Sequence, residues 1–111
     1  ASHILLKNNA SRRLASWRDP DGVDIRKRSE SAAAATLRGF RAQIERGEAT
    51  MEELAMRHSD CDTAKFGGDL GWFGAGYMQP EFEEAVLALE VGQLSDCVVS
   101  PSGVHLILRT G

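Results

Sequence analysis

The sequence predicts an α+β domain in which helices pack around a mostly antiparallel sheet. Three observations carry this. Apolar residues recur at helical spacing through the middle of the chain, and strand-like runs occupy both ends. The last two runs are separated only by Ser100-Pro101-Ser102-Gly103, a turn that brings them together as a hairpin. The 111 residues suffice for one domain, 1–111, and contain no internal repeat.

In order along the chain, residues 2–7 form a strand whose faces alternate His3/Leu5 and Ile4/Leu6. About 20 residues without helical or strand period follow, broken by the turn signal Asp19-Pro20-Asp21-Gly22. A helix starts at Ser29 or Ser31, buries Ala33, Leu37, Phe40 and Ile44 on one face, and stops at Gly47. Thr50-Met51-Glu52-Glu53 opens a second helix as a capping box, with an end near His58. Ser59 to Gly68 reads as loop, and Leu70–Phe73 as a short strand between glycines. Pro80 suits the first turn of a third helix with Phe82, Ala85, Val86 and Leu89 inward, broken at Gly92. Strands Gln93–Val99 and Val104–Arg109 close the fold, with His105, Ile107 and Arg109 on one face of the last.

The formal charge of −3 hides an asymmetry. Residues 1–41 hold nine Lys and Arg against four acids, and residues 42–111 hold four against twelve. A basic segment on an acidic body fits a local anion site better than a nucleic-acid coat, so no nucleic-acid partner is expected. No apolar run nears the roughly 20 residues that span a bilayer, and no membrane is expected. The start, Ala1 to Lys7, lacks the pattern of a signal peptide. Two cysteines make no disulfide framework, and Cys61, Cys97, His3, His58 and His105 lack a close ligand pair for zinc, so no metal is expected. Reduced thiols point to the cytoplasm, the nucleus or both.

Several residues could carry chemistry. His3 and His105 occupy strand positions otherwise apolar; a strand histidine is ordinarily a hydrogen-bonded core residue, and two in one sheet could share a network. Cys61 lies in a polar loop between Asp60 and Asp62, whose charges would disfavour a thiolate if close. Cys97, inside an apolar run, reads as core. Ser11-Arg12-Arg13, with Lys7 upstream, could close on a phosphate through planar guanidinium groups, or form a solvated loop, as Arg26-Lys27-Arg28 is expected to do. The glycine-rich stretch from Gly67 to Gly74 matches neither phosphate-loop spacing. Tyr77, Met78 and Phe82 could line an apolar pocket or simply belong to the core.

Taken in order, Ser2-His3-Ile4-Leu5, Ser59-Asp60-Cys61, Gly67-Gly68-Asp69-Leu70-Gly71, Met78-Gln79-Pro80-Glu81-Phe82-Glu83 and Ser102-Gly103-Val104-His105-Leu106-Ile107 resemble the parvulin-type peptidyl-prolyl cis/trans isomerases nearly end to end. Lys7, Ser11-Arg12-Arg13 and Ser16-Trp17-Arg18 look like the branch that selects phosphoserine or phosphothreonine before proline, and Cys61 fits it. The resemblance implies a four-stranded antiparallel sheet surrounded by helices, isomerase activity without a cofactor, phosphorylated Ser/Thr-Pro proteins as partners, and a monomer. By position His3 and His105 match the paired histidines beneath the site, and Cys61 and Ser102 the polar groups beside the turning bond. Leu70, Met78 and Phe82 match the proline pocket with Gln79 at its rim, and Lys7, Arg12 and Arg13 the phosphate clamp. A binding module without catalysis, or a general folding isomerase without phosphate preference, are the rival readings. Asp19-Pro20-Asp21-Gly22 lengthens the loop relative to some members. The Trp-Trp module that precedes the catalytic domain in some members is not among these residues, which fits a single-domain member or one whose module was cut away.

Overall fold

The computed structural model describes residues 1–71 and 78–111. Strand β1 (Ser2–Leu6) is followed by helices α1 (Val23–Lys27), α2 (Glu30–Glu45) and α3 (Met51–His58) and a 3₁₀ turn at Asp62–Phe66. Helix α4 (Pro80–Ala88) precedes a hairpin of β2 (Val98–Ser100) and β3 (Gly103–Leu108). The last strand lies in the middle of the sheet, in the order β1-β3-β2, with both pairings antiparallel.

Register decides where the site lies. His3 pairs with Ile107 and Leu5 with His105, so these four side chains share one face. Ile4, Leu6, Val104 and Leu106 face the other way. There they pack with Ala33 and Leu37 of α2 and with Met51, Leu54 and Ala55 of α3. Helix α4 covers the histidine face with Phe82 and Val86, joined by Leu89 just past its end, against Ile107.

The helix ends follow local chemistry. Ser29 Oγ accepts the Ala32 N–H at 3.1 Å at the start of α2. At its other end Gly47 turns left-handed at φ 73°, its N–H reaching Ile44 O while the Glu48 N–H reaches Gln43 O. Thr50 caps α3 by accepting the Glu53 N–H at 3.1 Å, and its hydroxyl donates to the Glu53 carboxylate at 3.1 Å. Replacing Thr50 by alanine is expected to lower stability by about 1 kcal/mol without changing activity. A urea midpoint unmoved by the substitution would show that this cap contributes nothing.

Four elements differ from the sequence reading. The long loop after β1 contains α1, whose first three N–H groups, Val23, Asp24 and Ile25, all donate to the Asp19 carboxylate at 3.0 Å, and whose Ile25 is fully buried. The Ser59–Gly68 loop contains the 3₁₀ turn. Helix α4 ends at Ala88, with Leu89 already extended, short of Gly92. The strand expected at Gln93–Val99 is regular only from Val98. Leu94 bridges Leu108 while Val98 pairs with His105, so four steps along this segment face three along β3. That extra residue is a β-bulge, with the Cys97 N–H turned to its neighbour Asp96 Oδ1 at 2.8 Å.

Among the described residues the sheet has three strands. Beside β1, Asp69 bridges Ser2 and the Leu70 N–H donates to Ala1 O at 2.9 Å. Trp72 and Phe73, which completed the strand expected there, and the pocket candidate Tyr77 lie outside the described residues. No helix among the described residues is long and apolar enough to cross a membrane.

Candidate active site

Strand alternation and the α4 face bring His3, His105 and Phe82 together. The histidine Nδ1 atoms lie 3.0 Å apart, and the rings stack at 5.2 Å between centroids. Phe82 meets His3 edge-on at 5.4 Å and His105 at 5.3 Å. Beyond, His105 Nε2 and Ser100 Oγ share a hydrogen bond of 2.6 Å. Both rings are only 4% exposed. Burial pushes His105 down to about 4, and burial together with the neighbouring His105 pushes His3 down to about 3. One proton between facing Nδ1 atoms satisfies both; two would oppose each other. The pair is therefore neutral near pH 7, with both Nδ1 atoms spent on each other and His105 Nε2 on Ser100. His3 Nε2 has no hydrogen-bond partner among the described residues.

A close approach fixes this geometry from behind. Gly68, at φ 81°, accepts the His3 N–H at 3.0 Å, and a Cβ there would collide with the His3 carbonyl. The glycine is thus required where the loop after α3 returns against β1.

Two cavities meet here. One, of about 360 Å³, is lined by His3, Leu5, Cys61, Leu70, Met78, Gln79, Phe82, Ser102 and His105. Eight of these nine are residues singled out in the sequence; Leu5 is the addition. At its rim Gln79 Nε2 donates to Ser102 Oγ at 3.1 Å, linking the start of α4 to the hairpin turn. The other cavity, of about 490 Å³, is lined by Lys7, Arg13, Ser16, Trp17, Asp60 and Asp62 among others. Leu5, Cys61 and Ser102 line both and form their common wall.

Among the clamp candidates, Lys7 and Arg13 face the second cavity. Arg12 is exposed and outside that lining, while its backbone N–H donates to Pro101 O at 2.7 Å and ties the basic loop to the hairpin. Lys7 Nζ donates to Ala15 O at 2.6 Å, which bends the loop around the cavity.

Asp60 holds this loop, a role invisible in the sequence. Its carboxylate accepts the Lys7 N–H at 2.9 Å and the Ser16 hydroxyl at 2.8 Å, and pairs with Arg28 at 3.4 Å. The charge expected beside the thiol is thus engaged elsewhere. Arg28 is correspondingly not part of a solvated run: it also donates to Lys7 O at 2.9 Å. Trp17 Nε1 donates to Ser59 O at 3.1 Å and Arg18 to His58 O at 3.2 Å. Consecutive side chains 16, 17 and 18 therefore stitch the basic loop to residues 60, 59 and 58. Only the Ser16-Trp17-Arg18 run offered any sequence signal for this. Among the described residues no group of three His, Cys, Asp or Glu could hold a metal.

An apolar pocket floored by a neutral histidine pair is built to grip a ring and exclude water. Such a pocket suits holding and turning a bound ring, as a rotamase does. The comparisons agree: the family model "Rotamase: PPIC-type PPIASE domain" matches residues 3–111. The chain is 53% identical over 111 residues to "Peptidyl-prolyl cis-trans isomerase Pin1" of Malus domestica, covering all of this chain and 92% of the relative. It is 54% identical over 110 residues to the Arabidopsis thaliana protein of the same name, covering 99% and 92%. Among solved structures, "Peptidyl-prolyl isomerase ESS1 from Candida albicans" superposes with a TM-score of 0.92 at 44% identity, over 99% of this chain and 60% of that one. The chain belongs to the PPIC-type, or parvulin, family and is a peptidyl-prolyl cis-trans isomerase with the parvulin arrangement of helices around an antiparallel sheet.

Proposed function

We propose that the enzyme turns phosphoserine–proline and phosphothreonine–proline bonds in proteins. The carrying observation is the common wall: an apolar cavity and a cavity bearing Lys7 and Arg13 meet at Leu5, Cys61 and Ser102. Proline and the phosphorylated residue are adjacent, so two such cavities are what one dipeptide needs. The names of the plant relatives support the peptidyl-prolyl bond as the one turned.

Rotation about the bond before proline faces a barrier of about 18–20 kcal/mol, because amide resonance is lost midway. Catalysis requires only that the twisted amide be bound better than either planar form. Leu70, Met78 and Phe82 hold the proline ring, with Gln79 at the rim contacting the substrate backbone. Lys7, Arg12 and Arg13 hold the phosphate. Rotation occurs between these fixed ends, beside Cys61 and Ser102. Excluding water disfavours the planar amide, whose charge separation water would stabilise. His3 and His105 act as a neutral floor that orients the pocket and transfers no proton.

The bridge at Asp69 and the Leu70 N–H bond to Ala1 support a fourth, edge strand beside β1. The family match over 3–111 supports one domain, which acts as a monomer. The free thiols of Cys61 and Cys97 support the cytoplasm or nucleus as its compartment.

The decisive measurement is cis–trans exchange by NMR on paired Ser-Pro and phosphoserine–Pro peptides. Catalysis confined to the phosphorylated peptide is expected. Equal catalysis on both would mean a general isomerase, and binding without exchange a phosphopeptide reader.

A further inference from the structure

We infer that Thr63 is a positioning residue for the isomerisation: its hydroxyl holds the Cys61 sulfur at the wall between the two cavities. This rests on the reading of that wall as the place where the amide turns. Thr63 Oγ1 donates to Cys61 Sγ at 3.2 Å, and the sulfur is that hydroxyl's one hydrogen-bond partner among the described residues.

The rest of Cys61 is already fixed. Its N–H donates to Ser59 Oγ at 3.3 Å, and its carbonyl accepts the Ala64 N–H at 3.0 Å. What these bonds leave free is rotation about Cα–Cβ, with three staggered wells. Only Thr63 selects among them by a hydrogen bond. Thr63 is a stiff anchor for the purpose. It is β-branched, it sits in the 3₁₀ turn, and its carbonyl accepts the Gly68 N–H at 2.9 Å. Neither neighbouring acid competes for the sulfur: Asp60 is taken up by Lys7, Ser16 and Arg28, and Asp62 is exposed on the second cavity. With one sulfur lone pair occupied from the Thr63 side, the S–H is the donor left for the cavities.

The test uses two variants. Thr63→Val keeps the shape and stiffness of the side chain and removes the hydroxyl; Thr63→Ser keeps the hydroxyl. In the parent protein and Thr63→Ser, the Cys61 Hα–Hβ couplings are expected to report one rotamer, and in Thr63→Val an average. Losing one weak hydrogen bond of this kind is expected to lower kcat about threefold in Thr63→Val, with KM for a phosphoserine–proline peptide unchanged and with rescue in Thr63→Ser. A single rotamer persisting in Thr63→Val, or a loss of rate that Thr63→Ser shares, overturns the inference. If the parent protein itself fails to turn over the peptide, the functional reading falls, while the couplings still decide whether Thr63 holds the sulfur.

Discussion

The Arg12→Ala/Arg13→Ala double variant is expected to lose about a hundredfold in kcat/KM on a phosphoserine–proline peptide and nothing on its unphosphorylated twin. A guanidinium–phosphate contact is charge-assisted and bidentate, and at a screened surface site each is worth about tenfold. The two arginines are not equivalent. Arg13 lines the cavity that Cys61 and Ser102 share with the proline pocket, whereas Arg12 lies outside that lining. Arg13→Ala alone is therefore expected to lose more than Arg12→Ala alone. Raising the salt concentration should shrink the whole effect in the parent protein and leave the double variant nearly flat. The fold is not at stake, since Arg12 touches the hairpin through its backbone N–H and both side chains are exposed. A double variant that keeps its rate on the phosphorylated peptide would remove the clamp from the mechanism.

What the sequence made legible is what short-range rules control. A period of two places His3 with Leu5 on one face of β1, and His105 with Ile107 on one face of β3, while the pairing of the strands joins those two faces. Ser29, Thr50 and Gly47 mark helix ends through bonds within four residues of themselves. The lining of the apolar cavity was legible through five short motifs in a fixed order, which supplied the residues gathered there. Long-range bonds were not legible. Asp60 reads locally as a charge next to a thiol; its partners Lys7, Ser16 and Arg28 lie more than 30 residues upstream and meet it only because the basic loop folds back over α3. Helix α1 is too short to show a period, and its capping carboxylate, Asp19, stands in what reads as a turn. The bulge before β2 shifts register by one residue without any proline or glycine to announce it.

Lowering the pH from 7 to 5 is expected to destabilise the protein by about 4 kcal/mol through His3 and His105 alone. In the unfolded chain both titrate near 6.5, whereas in the fold burial holds His105 at about 4 and His3 at about 3. Above 6.5 neither state binds these protons, and the pair adds no pH dependence. Below 6.5 the unfolded chain takes up two protons that the folded chain refuses. Stability then falls by about 1.4 kcal/mol per pH unit for each histidine. The loss continues to about 4, where His105 begins to charge, and to about 3 for His3. His58, also held below its ordinary value by burial, acts in the same sense. Urea midpoints at pH 5 and 7 measure the slope, and a His3→Asn/His105→Asn variant should flatten most of it even if it is less stable throughout. The same two protons bear on mechanism. A pair that stays neutral from pH 7 down to 5 does not change its charge in that range, so the turnover of a peptide without a titrating phosphate should show no inflection near 6.5. A midpoint that holds steady between pH 7 and 5 would mean the rings accept charge inside the fold, and the neutral floor beneath the proline would have to be abandoned.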